Sequence, residues 1–215
     1  MPVSKPDYLW PNWVEWAKTR PRTDFIAQGT LINKRSIGQT LGNAELRGSV
    51  VAFGVRRIFN FALLQENYVE HGGRYVRSEH QDRRATLNVI ETGNKSDFVN
   101  GILFTVQASE VAAIAEREFG YDLLPVEFSG PTVNGEANLF IARKNSEFVG
   151  HRVMDNIMPN ESSLTTCLEG AETYGPEFVR MWIDSCLIAD GTALVEHSYC
   201  RDIITKVVGG EFLPN

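Results

Sequence analysis

Residues Ser109–Tyr121 read Ser-Glu-Val-Ala-Ala-Ile-Ala-Glu-Arg-Glu-Phe-Gly-Tyr, and this stretch predicts an α-helix. Ser109 is a favourable N-cap residue, and Gly120 stands at the C′ position, where glycine often ends a helix. Positions spaced i, i+3, i+4 and i+7 lie on one face of a helix. That face comprises Val111, Ile114, Ala115 and Glu118. The predicted core-facing stripe therefore ends in a carboxylate.

Glu118 is the candidate functional residue of this helix. An ionised carboxylate is costly to bury without a partner, and burial raises its pKa towards neutrality. A carboxyl group with a raised pKa can accept a proton as a general base and return it as a general acid. The pattern alone also allows a partly exposed Glu118 at the helix end, or one paired with an arginine. Glu116 lies on the opposite, solvated side.

Short strand-like runs and turns occupy much of the remaining chain. The run Phe25–Ala27 breaks into the loop Gln28-Gly29-Thr30. Apolar and β-branched residues predict further strands at Ser49–Phe53, Val55–Phe61, Arg84–Ile90, Val99–Val106, Tyr121–Phe128 and Leu139–Arg143. The polar interval 62–83 is predicted to be a long loop or an irregular hairpin.

Further helices are predicted in both halves of the chain. Asn33 is the N-cap candidate of one over Lys34–Leu41, with Gly42 at its C′ position. Another carries an apolar stripe of Leu164, Cys167, Leu168 and Ala171. A third covers about Pro176–Leu187, with proline at N1. Segregated strands and helices favour an α+β fold over a βαβ array, and the sheet is able to close into a small barrel.

Both ends of the chain are predicted to be extensions of a single domain. In the first of them, Asn12 is the N-cap candidate of a short helix that carries Trp13 and Trp16 and ends at Pro21. These tryptophans either fold back onto the domain or form an interaction site. The N-terminal extension, the domain and the C-terminal extension span residues 1–22, 23–195 and 196–215.

Composition excludes several classes of protein. The net charge of the 215-residue chain is −6, which argues against a generic nucleic-acid binder. Its apolar runs fall far short of the ~18 residues of a membrane span, and its first residues lack the pattern of a secretory signal. The three cysteines form no C-x-x-C pair, which favours a reduced, cytoplasmic protein.

No metal or nucleotide motif is found. The four histidines form no H-x-x-x-H pair, and no cysteine lies at metal-ligand spacing. The chain has no P-loop, no G-x-G-x-x-G and no G-x-S-x-G element. Cys167 lies on an apolar helix stripe and is interpreted as a core residue rather than a nucleophile. We therefore expect neither a metal nor a cofactor.

A series of short motifs runs through about residues 24–191 in a definite order. The motifs are Phe25–Leu31, Ala44-Glu45-Leu46-Arg47-Gly48, Gly54–Asn60 with Arg57-Ile58-Phe59-Asn60, Ala85–Val89, Gly101-Ile102-Leu103-Phe104, Arg117-Glu118-Phe119-Gly120-Tyr121, and Glu169-Gly170-Ala171 with Tyr174–Phe178. Each motif is weak alone. Their order and spacing resemble the gamma-glutamylcyclotransferase-like superfamily, and the resemblance singles out Glu118 again.

The resemblance implies a small mixed β-barrel flanked by α-helices. It also implies an enzyme that releases an amine or amino acid from a gamma-glutamyl compound and cyclises the glutamyl part to 5-oxoproline. Glu118 would act as general base and then general acid. Gln28, Gly29, Thr30 and Leu31 would form the substrate-binding loop, whose amides stabilise the oxyanion.

Other implied features concern the rest of the pocket. Tyr121 would join the substrate site, and Arg57 or its neighbour Arg56 would face the substrate's α-carboxylate. Alternation along a strand turns only one of these arginines inward. Intramolecular attack has a high effective molarity, so the reaction needs no metal or cofactor. The expected partner is a small gamma-glutamyl molecule rather than a nucleic acid or a membrane, and monomer and homodimer both remain open.

Two departures from the family pattern lie in the expected pocket. Gln28-Gly29-Thr30 stands where the family has Tyr-Gly-Ser, and Ser163 stands where it tends to have a tyrosine. Both changes alter the pocket wall. Two alternatives to an enzyme therefore stay open: a non-catalytic member that binds a small ligand or a protein, and an interaction protein that uses its Trp-rich N-terminus.

Overall fold

The computed structural model describes residues 8–42, 44–63, 84–143 and 151–213. The α-helices are α1 (Asn12–Lys18), α2 (Lys34–Gly38), α3 (Val111–Arg117), α4 (Glu161–Glu172), α5 (Pro176–Asp184) and α6 (Ser198–Val208). The strands are β1 (Arg22–Ala27), β2 (Glu45–Phe53), β3 (Val55–Leu63), β4 (Arg84–Glu91), β5 (Phe98–Gln107), β6 (Asp122–Ser129), β7 (Asn134–Ile141), β8 (His151–Val153), β9 (Met158–Pro159) and β10 (Cys186–Ile188). The predicted α+β class is confirmed.

Five of the strands close into a barrel in the order β1-β5-β2-β6-β7. β1 runs antiparallel to β5, with Phe25 opposite Phe104, and parallel to β7, with Phe25 opposite Asn138. A second sheet has the order β10-β3-β4-β9, and β8 pairs with β3. The predicted small mixed barrel is therefore present, with a separate sheet beside it.

The two faces of the barrel strands belong to two hydrophobic clusters. Successive side chains of a strand point to opposite faces, and Ile26 and Phe25 accordingly enter different clusters. One cluster draws buried side chains from all five barrel strands, among them Ile26, Val50, Leu103, Leu124 and Leu139. The other joins the second sheet to all six helices through residues such as Trp13, Ile37, Ile114, Leu168, Trp182 and Ile204.

Most predicted strands are confirmed, but several element ends are wrong. α2 ends at Gly38 and not at Leu41, because Thr40 and Leu41 both donate their N–H groups to the Ile37 carbonyl and tighten the last turn. α5 ends at Asp184, since Cys186–Ile188 leave the helix and pair with β3 as β10. The predicted loop at 62–83 lies outside the described residues from position 64 onward.

Two predicted N-caps are also wrong, whereas a third is confirmed. Gln107, not Ser109, caps the turn before α3, because Gln107 and Glu110 form a reciprocal capping box. Pro11, not Asn12, precedes α1. The Asn33 side chain does accept N–H groups at the start of α2, as predicted.

Helices α1 and α6 pack into the same core as the middle of the chain. Trp13 in α1 and Cys200 in α6 are both fully buried in the helix-covered cluster. The prediction that the tryptophans fold back onto the domain is thus confirmed for Trp13. The domain limits at residues 22 and 195 stay predictions, and side chains from both sides of each limit share one core.

Candidate functional site

The loop that follows β1 is held by two buried donors. The Gln28 carbonyl accepts a hydrogen bond from Arg57 Nε at 3.0 Å and another from Trp182 Nε1 at 2.9 Å. The oxygen and the N–H of a trans peptide point in opposite directions. The Gly29 N–H is therefore directed away from Arg57 and Trp182.

This loop presents unpaired backbone donors. Thr30–Ile32 form a 3₁₀ turn with Gly29 as its N-cap. The first N–H groups of a helix lack an intrahelical partner. Within the described part of the chain, the N–H groups of Gly29, Thr30 and Leu31 donate no hydrogen bond. Consecutive donors of this kind are suited to stabilise a developing oxyanion.

Glu118 stands at the end of α3 as its C-cap residue. Its side chain is 14% exposed, so it is largely buried yet open to solvent at one side. Arg117 Nε donates to Glu118 Oε1 at 3.2 Å. Both properties that the sequence left open, partial exposure and pairing with an arginine, are present together.

Arg117 joins Glu118 to the β1 loop. Its Nη2 donates to the Thr30 hydroxyl at 3.0 Å and to the Ser36 hydroxyl at 2.7 Å. Its Nη1 donates to the Ser36 carbonyl at 2.6 Å and to the Thr40 hydroxyl at 2.9 Å. With Glu118, these contacts use all five donors of a guanidinium. The carboxyl of Glu118 and the hydroxyl of Thr30 thus contact the same cation.

Burial raises the pKa of Glu118 above its ordinary value, and the nearby Arg117 charge and hydrogen bond partly oppose that rise. Desolvation is the larger of these effects. A carboxyl whose pKa is raised in this way is suited to proton transfer near neutral pH.

Tyr121 is held by contacts with β3 and β4. Its hydroxyl donates to the Leu87 carbonyl at 2.9 Å and lies 3.3 Å from the Thr86 hydroxyl, and its ring packs 4.6 Å from Phe61. Gly29 lies near β4, since a Cβ added at Gly29 would lie 3.4 Å from Leu87 Cδ2. Leu87 is therefore close to both Tyr121 and Gly29.

Arg57 lies deeper than the other predicted site residues. It is 0% exposed and donates to Gln28, to both the backbone and the side-chain oxygens of Asn100, and to the Ser185 hydroxyl. Burial lowers the pKa of Arg57 to about 9, so it remains a cation at neutral pH. Its neighbour Arg56 turns outward and donates to the Asp184 carbonyl at 3.1 Å.

Arg117 thus connects Glu118 to Thr30, Leu87 lies close to both Tyr121 and Gly29, and Arg57 contacts the loop through the Gln28 carbonyl. Sequence reasoning did not identify Arg117, Asn100 or Trp182 as part of this arrangement. A usable signal existed for Asn100, which is 2% exposed and stands among the apolar residues Val99, Ile102 and Leu103 of β5. Arg117 stands in the motif that contains Glu118, but that motif does not show that its guanidinium reaches Thr30.

Across the described ranges, no three His, Cys, Asp or Glu side chains come together as potential metal ligands. No helix in those ranges combines the length and the apolar character that crossing a bilayer requires.

Comparison with known proteins gave matches in structure only. No protein-family model and no curated protein sequence matches the chain. A solved structure of gamma-glutamyl cyclotransferase matches with a TM-score of 0.56 at 11% identity, covering 86% of this chain and 99% of that one. The chain has the gamma-glutamylcyclotransferase-like fold.

Two further structures agree with this fold. The uncharacterized human protein loc79017 matches with a TM-score of 0.53 at 13% identity, covering 76% of this chain and 87% of that one. YkqA from Bacillus subtilis matches with a TM-score of 0.53 at 16% identity, covering 78% of this chain and 56% of that one. In the gamma-glutamylcyclotransferase-like fold of this chain, the two departures from the family motifs, Gln28 and Ser163, are both buried.

Proposed function

We propose that the protein is a gamma-glutamyl cyclotransferase-type enzyme that converts a gamma-glutamyl amide to 5-oxoproline and a free amine or amino acid. One observation carries the proposal: Arg117 holds the largely buried carboxyl of Glu118 beside a loop with three unpaired N–H groups. This combination supplies an acid–base group and an oxyanion site in one place.

The proposed reaction has two proton transfers. Ionised Glu118 removes a proton from the substrate's α-amino group, whose nitrogen then attacks the γ-carbonyl carbon to form a five-membered ring. The carbonyl oxygen becomes an oxyanion, which accepts hydrogen bonds from the amides of Gly29, Thr30 and Leu31. Protonated Glu118 gives its proton to the leaving amine, the bond between the γ-carbon and that amine breaks, and the carbonyl re-forms.

The substrate site is proposed to lie between Tyr121 and the Gln28–Leu31 loop. Leu31 contributes only its backbone, because its side chain is buried in the core. Tyr121 forms a wall whose hydroxyl is already fixed by Leu87. The three cysteines are free and buried, which is consistent with the proposed cytoplasmic location.

The test is release of 5-oxoproline, measured by mass spectrometry over gamma-glutamyl amino acids, glutathione and gamma-glutamyl amines. We expect turnover of at least one substrate by the natural protein and a loss of about 10²–10⁴-fold in Glu118→Gln, the usual contribution of a general acid–base group. Glu116→Gln, exposed on the same helix, is the matched control. Equal activity of Glu118→Gln and the natural protein would remove the role proposed for Glu118.

A binding protein of the same fold is the second candidate. The Arg117–Glu118 ion pair and the replacement of the family's tyrosine by Gln28 favour it, because both reduce the resemblance to an enzyme pocket. In that case no substrate of the panel yields 5-oxoproline. Calorimetric titration with glutathione and gamma-glutamyl amines would then still detect binding, and Tyr121→Ala would weaken it.

A further inference from the structure

We infer that Arg57 and Trp182 form a positioning pair that fixes the Gln28–Gly29 peptide so that the Gly29 N–H faces the substrate's reacting carbonyl oxygen. This inference rests on the proposed function and explains how the oxyanion site is kept in its active orientation. It assigns Arg57 a role behind the loop in place of contact with the substrate's carboxylate.

Two buried side chains donate to the same backbone oxygen, that of Gln28. A carbonyl oxygen has two lone pairs, and Arg57 Nε and Trp182 Nε1 use both on Gln28. Rotation of the Gln28–Gly29 peptide would break two buried hydrogen bonds at once. An unpaired buried donor is expensive, so the alternative orientation is disfavoured.

Both donors to the Gln28 oxygen are themselves held in place. The guanidinium of Arg57 lies 5.2 Å from the centre of the Trp182 ring and donates to Asn100 and Ser185. Asn100 in turn donates to the Phe178 carbonyl at 2.9 Å. The pair is therefore connected to β3, β5 and α5, which are distant in sequence, and moves only if they move.

The positive charge of Arg57 also acts on the Gln28–Gly29 peptide. Among the residues that the structure describes, no carboxylate forms an ion pair with Arg57, and its hydrogen-bond acceptors are all uncharged. The buried cation lies on one side of the peptide, and the Gly29 N–H points to the other. Its field therefore favours negative charge where the oxyanion is proposed to form.

The experiment compares Trp182→Phe with Trp16→Phe. The first variant keeps an aromatic ring and removes one donor to Gln28. The second makes the same change at a partly buried tryptophan of α1 that does not contact Gln28. We expect Trp182→Phe to lower kcat by about 10- to 100-fold with little change in KM, as for a small misplacement of reacting groups. Trp16→Phe should keep kcat within about threefold, as expected when the groups at the loop are not displaced.

A measurement without turnover separates this inference from the proposed function. NMR relaxation of the Gly29 amide should show greater mobility in Trp182→Phe and no change in Trp16→Phe. If the Gly29 amide is equally rigid in Trp182→Phe, the positioning role is wrong, whatever the activity. If the natural protein releases no 5-oxoproline, the proposed function is wrong, and the NMR comparison still decides the positioning role. Arg57→Lys, which keeps the cation, replaces Trp182→Phe if the latter does not fold.

Discussion

Glu118 destabilises the folded chain when it is ionised. Its pKa in the folded protein is raised above the ordinary value, chiefly by burial. The stabilising contribution of such a group is fully present at a pH below its pKa in the unfolded chain. It is lost as the pH rises through the raised pKa of the folded state. The residue suited to proton transfer is thus one that reduces stability at neutral pH.

We predict that Glu118→Gln raises the free energy of unfolding at pH 7–8 by about 0.5–2 kcal/mol, the usual size of a single stabilising substitution. The neutral amide does not carry the cost of a buried charge. At a pH below about 4, where glutamate is protonated, the two proteins should have equal Tm values. Thermal unfolding monitored by circular dichroism over this pH range measures the difference.

Glu116→Gln is the control for this prediction, because Glu116 is exposed on the same helix and should show no such pH dependence. A lower Tm for Glu118→Gln at neutral pH would mean that the Arg117 ion pair outweighs desolvation.

For individual residues, the sequence predicted the position of Glu118 but not the contacts that connect it to other side chains. Helical periodicity placed Glu118 on the stripe of Val111 and Ile114, which are both buried. Periodicity describes one helix at a time. The contacts of Arg117 with Thr30 and Ser36 join positions 87 and 81 residues apart, so no local pattern records them.

At the scale of elements, α4 packs closely against the end of the Thr30–Ile32 turn at Gly170. A Cβ added at Gly170 would lie 2.6 Å from the Asn33 nitrogen and 2.9 Å from Ile32 Cγ1. The absence of a side chain at Gly170 lets the helix approach the end of the 3₁₀ turn that carries the unpaired amides. The distance between two elements therefore depends on one glycine.

We predict that Gly170→Ala destabilises the protein by about 1–3 kcal/mol, as overpacking usually does, and lowers kcat by displacing the loop. Gly38→Ala is the control, since nothing lies within 4 Å of its added Cβ and alanine favours a helix. Urea unfolding and 5-oxoproline release measure the two effects. An unchanged unfolding midpoint for Gly170→Ala would contradict the close packing of α4 on the loop.

Elements with their own periodic pattern were predicted, and elements defined by distant pairing were not. The apolar runs of β3, β4 and β5 and the stripe of α4 are visible in the sequence. β10 has only three residues and continues the apolar pattern of α5. Its identity as a strand comes from its parallel pairing with Arg57–Phe59. Only the folded chain brings these segments together.

In the molecule as a whole, helix α1 is part of the core. Trp13 is fully buried, packs against Phe25 and Phe140, and donates from Nε1 to the Tyr121 carbonyl at 2.9 Å. It therefore connects α1 to the residue that borders the proposed substrate site.

We predict that Trp13→Ala lowers the free energy of unfolding by about 3–5 kcal/mol, the usual cost of truncating a buried tryptophan. Trp16→Ala should cost much less, because Trp16 is only partly buried and stacks with the exposed Arg20. Chemical unfolding of both variants measures the difference. Equal losses would indicate that α1 contributes surface contacts rather than core.

The three buried cysteines are natural probes of local unfolding. Cys167, Cys186 and Cys200 lie in α4, β10 and α6, and burial raises the pKa of each thiol, that of Cys167 and Cys200 to about 12. A thiol reagent attacks only a thiolate that it can reach. The rate at which a thiol reagent modifies each cysteine therefore reports how often the segment around that cysteine unfolds locally. No label needs to be introduced, because the natural sequence places one probe in each of these segments.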